Sequence, residues 1–257
     1  MGITRISLGI QSFNKKTLLR IARPHDHLTI YRALESLQKA GIENFGTDFI
    51  MGLPYQTFAS FKSEIETALS YNPTHISAYF LSYDTKRIDL FIKDCPQEEE
   101  QIQMYEWLVE RLHKAGLNHY EVSNYAKPGH ECLHNLRYWQ QKEYLGFGIG
   151  AHSYIDQTVW ENTADFDAYV QNPLLEPQSL KLDKELDQSE FILLSLRTAK
   201  GINKNDYQTK YQNLPQLLKK AETYIESKHL VQSETNLSPT DKGFLIIDKI
   251  TSDLIQD

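Results

Sequence analysis

Phe45-Gly46-Thr47-Asp48-Phe49-Ile50-Met51-Gly52-Leu53-Pro54 decides the architecture of the first half of this chain. The run Phe45 to Met51 reads as a buried strand, and Gly52-Leu53-Pro54 ends it. Downstream, Thr57 can cap a helix whose apolar face is Phe58, Phe61, Ile65, Ala68 and Leu69. Upstream, Ile30, Ala33, Leu34, Leu37 and Ala40 recur at helical spacing, and Gly41 stops that helix. Further out, Ile6, Leu8 and Ile10 alternate as a short strand does. Ile76 to Leu81 reads as a third strand. A third helix opens after Pro96 and runs through Ile102, Tyr105, Val109 and Leu112 to Gly116. The acidic run Glu98-Glu99-Glu100 suits its positive N-terminal end.

Three strand–helix units in series predict a parallel sheet with helices packed on it, an α/β fold of the barrel kind. Three units are too few to close a barrel, and the chain opens directly on a strand. The expectation is a partial barrel whose preceding segment is missing from this chain or supplied by another. The pattern loosens after residue 118, so residues 1–118 are expected to form the partial barrel and residues 119–181 a connecting region. Residues 182–257 have the helix and strand order of a small winged-helix-like, α-rich domain. Its helices are expected near Leu186–Leu196 and Leu214–Ile225. A short strand pair is expected at Leu230-Val231 and around Leu237, and a last helix from Thr240.

Of the 257 residues, 40% are hydrophobic and 24% charged, the balance of a globular chain rather than a disordered one. No run approaches the ~18 apolar residues of a membrane span. A net charge of −7 argues against a general nucleic-acid binder. The last domain does not reverse this, holding 10 Lys and Arg against 12 Asp and Glu over residues 183–257. No export leader is visible, and Cys95 and Cys132 give no disulfide framework, which points to a reducing cytoplasm.

Functional side chains of parallel α/β sheets gather at the carboxyl ends of strands. Gln11 follows the first strand, Asp48 sits in the second, and Arg23 lies in the loop before the first helix. An amide, a carboxylate and a guanidinium at one rim suit a ligand with a ribose diol and a carboxylate. The second candidate is His134-Asn135-Leu136-Arg137-Tyr138-Trp139. His134 is a candidate axial ligand for haem iron, with Cys132 as a thiolate alternative. Tyr138 and Trp139 offer flat faces, and Arg137 a partner for a propionate. The structural alternative is a histidine bonded to a nearby carbonyl and a tryptophan filling a core. Gly146, Gly148 and Gly150 do not match a dinucleotide fingerprint and are read as allowing close backbone approach. His152 is read as a core residue rather than a second ligand. No side chain is assigned a catalytic role, and Cys95-Pro96 is too short a motif to carry one.

Three stretches carry a resemblance: Arg5 to Asn14 (RISLGIQSFN), Asp48 to Pro54 (DFIMGLP) and Tyr120 to Gly129 (YEVSNYAKPG). Together they resemble the radical S-adenosylmethionine proteins related to oxygen-independent coproporphyrinogen III oxidase. The His134–Trp139 hexapeptide is similar to the H-N-x-x-Y-W signature of the HemW haem-chaperone branch. The resemblance implies the C-terminal part of a partial (β/α)6 TIM-like barrel, then a helical domain. It implies S-adenosylmethionine at Gln11, Arg23 and Asp48, and haem at His134, Asn135, Arg137, Tyr138 and Trp139, with His134 on the metal. It also implies a haem-acceptor protein as partner. The family's [4Fe-4S] cluster is held by a Cys-x-x-x-Cys-x-x-Cys loop that this sequence lacks. The chain therefore resembles a member without its N-terminal third, and a cluster is expected only if that segment is supplied. The leading expectation is a haem-binding, haem-transferring protein. The alternative is the radical oxidative decarboxylase, and a third is a fragment with a structural role.

Overall fold

The computed structural model describes residues 2–82, 92–172 and 178–256. The chain divides into two compact units, residues 1–131 and 132–257.

The first unit is built on five strands, β1 (Ile6–Gln11), β2 (Phe45–Met51), β3 (His75–Phe80), β4 (Asn118–Glu121) and β5 (Asn124–Ala126), in the order β1-β2-β3-β5-β4. The pairs β1·β2 and β2·β3 are parallel. The pairs β3·β5 and β5·β4 are antiparallel. The sheet is thus mixed, closed by a hairpin in a stretch whose sequence reads as irregular. Strands of four and three residues are too short to show a period.

Among the described residues, these strands are flanked by α1 (Lys15–Arg20), α2 (His27–Lys39), α3 (Phe58–Ser70) and α4 (Glu98–Lys114). The sequence reading missed α1. Six residues span under two turns, so no apolar stripe can register, and the helix rests on its cap, where Asn14 Oδ1 accepts from Lys16 N–H at 2.9 Å. Arg23 therefore follows the first helix and precedes the second. The other helices match their expected spans. Asp26 caps α2, whose Ile30, Leu34 and Leu37 are buried. Thr57 and Ser60 form a reciprocal capping box on α3. Glu98, Glu99 and Glu100 form the first turn of α4.

On β2 Phe45, Thr47, Phe49 and Met51 are buried on one face, and half-buried Asp48 and Ile50 share the other with Gly46. One face is therefore a packed core and the other carries the candidate carboxylate. Phe58 and Phe61 of α3 meet Trp107 of α4 edge-on at 6.3 and 6.4 Å. Phe80 stacks on Tyr105 of α4 at 5.9 Å.

The second unit opens with α5 (Leu133–Trp139), followed by an antiparallel sheet of β6 (His152–Ile155), β7 (Thr158–Glu161) and β8 (Gln178–Lys181), with α6 (Phe166–Gln171) between β7 and β8. The winged-helix-like part follows. It contains α7 (Lys184–Ser195), β9 (Ile202–Asn203), α8 (Lys204–Tyr211), α9 (Leu214–Glu226), β10 (Leu230–Gln232), β11 (Asn236–Pro239), α10 (Asp241–Leu245) and α11 (Ile247–Ile255). Its strands pair in the order β10-β11-β9, all antiparallel. The single last helix expected from Thr240 is two, broken at Ile246. Gly201 is obligatory: a Cβ there would lie 2.1 Å from the Leu237 carbonyl oxygen. No helix among the described residues is long and apolar enough to cross a membrane.

Candidate functional site

In the first unit, strand register sets out one row of residues across the sheet, of which Ser77, Asn124 and Glu121 are buried. Gly9 pairs with Asp48, Asp48 with Ser77, Ser77 with Asn124, and Asn124 with Glu121. Residues paired in register share a face, so one level of the sheet presents a carboxylate, a hydroxyl, an amide and a second carboxylate. Asp48 is half-buried and accepts from Ser7 Oγ at 3.0 and 3.2 Å. Asn124 Oδ1 is buried with no partner among the described residues.

Gln11 is buried at the end of β1 with φ of +65°, where the pairing with β2 slips past Gly9. Its amide folds back toward Gly9, where a Cβ would lie 3.1 Å from Nε2. The fold thus brings Gln11 and Asp48 to neighbouring strands. Arg23 is exposed in the loop between α1 and α2. Two residues on, the His25 ring meets the Ile10 carbonyl at 3.3 Å, which ties this loop to the end of β1.

A buried polar network missed in the sequence shapes this rim. Glu64 of α3 is only 5% exposed. It accepts from Ser12 Oγ, from Phe13 N–H at 3.0 Å and from Gln56 Nε2 at 3.3 Å. Gln56 Oε1 in turn accepts from Gly52 N–H at 2.9 Å and Leu53 N–H at 3.3 Å. The turns after β1 and β2 are thereby locked to one helix. Burial raises the Glu64 carboxyl above its usual range, and the bond from Ser12 pulls the other way. The legible signal is Glu64 itself, an acid on the apolar stripe between Phe61 and Ile65.

At the lower end of the same face, His75 Nε2 meets the Tyr120 hydroxyl at 2.9 Å. Burial, helped by Arg5, pushes His75 down to about 3, so its ring is neutral at pH 7.

In the second unit α5 is the hexapeptide with one residue, Leu133, before it. His134 and Tyr138 are four residues apart and share a helix face. The Tyr138 hydroxyl meets His134 Nε2 at 3.1 Å, and the rings cross edge-on at 4.9 Å. His134 is exposed and Tyr138 half-buried. Tyr138 packs edge-on against Tyr144 at 4.5 Å, and Tyr144 is bridged in antiparallel register to Tyr154.

Asn135 and Trp139 form the other i, i+4 pair. Trp139 lies under the Arg197 guanidinium, 5.7 Å from the ring centroid, and its Nε1 is buried without a partner. Arg137 Nε donates to the Glu143 carbonyl at 2.7 Å. Cys132 occupies the N-cap position of α5. The helix therefore does not gather all six side chains at one place: His134 and Tyr138 turn to one side, Trp139 to another.

Gln141, two residues past that helix, is anchored to α7. Gln141 Nε2 donates to Asp187 Oδ1 and to Glu190 Oε2, both at 3.2 Å. Asp187 is buried and also binds Lys210 Nζ at 2.7 Å and the Tyr211 hydroxyl at 2.7 Å. Burial and that carboxylate push the Tyr211 phenol far up.

The glycines behave as expected at Gly146, where a Cβ would sit 2.2 Å from the His152 carbonyl oxygen. His152 corrects its sequence reading. It is an exposed residue at the start of β6, 3.8 Å from the Glu161 carboxylate, not a core side chain. The two middle residues of β6, Ser153 and Tyr154, are buried in its stead.

Comparison with known proteins follows this division. Residues 1–68 match the radical SAM superfamily, and residues 182–246 the HemN C-terminal domain. The heme chaperone HemW of Bacillus subtilis is 31% identical over 258 residues, covering 95% of this chain and 68% of that protein. The chain belongs to the HemW family. HemW of Lactococcus lactis is 33% identical over 251 residues, covering 94% of this chain and 66% of that protein. This HemW-family chain thus spans about two thirds of the length of these relatives. Coproporphyrinogen III oxidase (HemN) of Escherichia coli superimposes with a TM-score of 0.80 at 19% identity, covering 99% of this chain and 64% of that one. At that identity the likeness carries the fold: the C-terminal part of a radical SAM barrel and the domain that follows it.

Proposed function

We propose that this chain holds haem and passes it to an acceptor protein, with His134 as the iron ligand and Asn135, Arg137, Tyr138 and Trp139 as its motif neighbours. The observation that carries the reading is the His134 ring, exposed on α5 with the flat Tyr138 and Tyr144 rings beside it. These residues fit haem. Iron held in a porphyrin needs only one or two protein ligands, and a neutral imidazole with a hydrogen-bonding neighbour is a usual one. The Trp139 indole N–H, buried without an acceptor, is a donor left over in the same helix. Haem is cargo here, and its two carboxylates need cations; Arg137 retains its terminal guanidinium nitrogens after Nε meets the Glu143 carbonyl.

Gln11, Asp48 and Arg23 support S-adenosylmethionine on the first unit. The Asp48 carboxylate accepts from ribose hydroxyls, Gln11 offers both amide functions, and Arg23 forks onto the methionine carboxylate. The molecule carries a sulfonium and a transferable adenosyl group. What this chain's residues do is bind and orient it, with Glu64 holding the two turns of the rim. A [4Fe-4S] cluster does not fit the residues present, because two cysteines 37 positions apart cannot supply three neighbouring thiolates. No reductive step is derived through it. Cytoplasmic location and a haem-acceptor partner belong to the same reading.

The test is titration of ferric haem into the chain, followed by absorption. A Soret shift that saturates, and that His134→Ala weakens at least tenfold, supports the reading. An unchanged spectrum and affinity in His134→Ala removes the hexapeptide from it.

A further inference from the structure

We infer that Glu64 is a positioning residue: it clamps the end of β1 in a strained turn that lays the Gln11 amide beside Asp48. The inference deepens the S-adenosylmethionine reading of the first unit and rests on it for the ligand; the clamp itself is testable without one.

The strain is visible in the backbone. Pairing between β1 and β2 is regular from Ile6 to Gly9, which stands opposite Asp48; the next residue of β2, Phe49, stands opposite Gln11 rather than Ile10. β1 therefore carries one residue more than β2 at this point, a slip of the kind that re-aims a side chain. The Ser12 N–H donates back to the Ile10 carbonyl at 2.8 Å, and Gln11 between them has φ of +65°. A hydrogen bond closed over one residue of positive φ is the strained form of the γ-turn. A left-handed backbone costs free energy in a residue with a Cβ, and it persists only where its surroundings hold it.

The turn sets where the amide goes. Gly9 and Asp48 are register partners, so a Cβ on Gly9 would point to the side of the sheet that carries Asp48. Gln11 Nε2 lies 3.1 Å from that Cβ position. The amide is folded back over Gly9, on the Asp48 face and one strand away from the carboxylate, in room that only a glycine leaves.

The hold on the turn comes from α3. One oxygen of the buried Glu64 carboxylate accepts from Ser12 Oγ and from the Phe13 N–H at 3.0 Å, and Ser12 Oγ accepts from the Asn14 N–H at 3.0 Å. The two residues after Gln11 are thus fixed by Glu64, while β2 fixes the residues before it. The second carboxylate oxygen accepts from Gln56, whose amide also donates to the Ile50 carbonyl at 3.2 Å, two residues past Asp48 on β2. One acid bears on both strands that carry candidate ligand residues. Packing alone would be met by an apolar residue on this stripe of α3, between Phe61 and Ile65; the carboxylate answers the donors of the turn.

The test of the clamp is the urea midpoint of the full 257-residue chain. Where φ is positive, glycine is more stable than alanine; in ordinary backbone alanine is the more stable, because glycine loses more freedom on folding. Gln11→Gly is expected to have a higher midpoint than Gln11→Ala. In a Glu64→Ala background the order should reverse, since the released turn abandons positive φ. Should Glu64→Ala fail to fold by circular dichroism, Ser12→Ala cuts the same clamp more mildly and should narrow the gap. A gap unchanged by cutting the clamp overturns the inference. Calorimetry with S-adenosylmethionine supplies the ligand arm. Glu64→Ala should bind about tenfold more weakly than the wild type. Glu64→Gln, which keeps an acceptor oxygen for Ser12 and Phe13, should recover most of that loss. Wild-type affinity in Glu64→Ala overturns the positioning role. A wild type that gives no heat of binding sinks the S-adenosylmethionine reading, and the order of the two midpoints then decides alone whether the clamp stands.

Discussion

His134 and Tyr138 show how one contact sets up a competition. The Tyr138 hydroxyl engages the Nε2 that iron would take. A hydrogen bond of this kind is worth about 1 kcal/mol net. Tyr138→Phe keeps the flat ring and removes the competitor, so haem affinity is expected to rise by about fivefold in an absorption titration. Glu64 sets a second residue-scale outcome. Glu64→Ala leaves Ser12, Phe13 N–H and Gln56 without their acceptor in a buried place. The expected loss is about 2–3 kcal/mol by urea denaturation, with weaker binding of any ligand at the β1 and β2 turns. His75 governs acid stability. Its folded value is depressed to about 3 against 6.5 in a free chain, so below pH 6.5 the unfolded chain binds a proton that the folded one does not. Stability is full above pH 6.5 and is lost as pH falls toward 3, by about 3 kcal/mol at pH 4. His75→Gln should flatten that part of the urea-midpoint profile. Glu64 and Asp187 share a legible signature, an acid on a helix stripe otherwise apolar. Their partners come from other elements, so the sequence alone marks the acid and not the network.

At the scale of elements, the unit that carries His134 is a short helix fastened at its C-terminal end. Seven residues do not make a stable helix alone. Trp139 under Arg197 and Gln141 on Asp187 fasten it to the helical domain. Asp187→Ala removes a buried carboxylate with three partners and is expected to cost about 3 kcal/mol. It should also raise hydrogen exchange across residues 133–144. Gly146 governs the neighbouring loop. Gly146→Ala forces a Cβ into the His152 carbonyl, so the loop base must shift and the urea midpoint should fall. That close approach is legible as a glycine pattern. The direction of each hexapeptide side chain is not. Helical spacing separates His134 from Trp139, but only the packing of α5 reveals that the indole faces Arg197 while the imidazole faces water.

For the whole molecule, the chain carries two compact units with separate chemistry: a sheet with a polar face, and a helix, sheet and winged-helix-like body with the imidazoles. Reconstitution of this chain with iron and sulfide is expected to yield no [4Fe-4S] absorption, because Cys95 and Cys132 are its only cysteines. Mixing with S-adenosylmethionine, followed by calorimetry, separates a binding sheet face from a bare one, and Asp48→Asn should weaken any heat observed. The strand–helix order, most element ends and the motifs that reveal the family were written in the sequence, because apolar period, caps and glycine stops act over a few neighbouring residues. Short elements such as α1, β4 and β5 escaped it, since fewer than two turns or two pleats leave no period to see. Only the tertiary structure decided that Gly9, Asp48, Ser77, Asn124 and Glu121 stand in one row, that Glu64 ties two turns together, and that His152 faces water beside Glu161. Those facts depend on register and packing between segments far apart along the chain, where a shift of one residue turns every side chain to the opposite face.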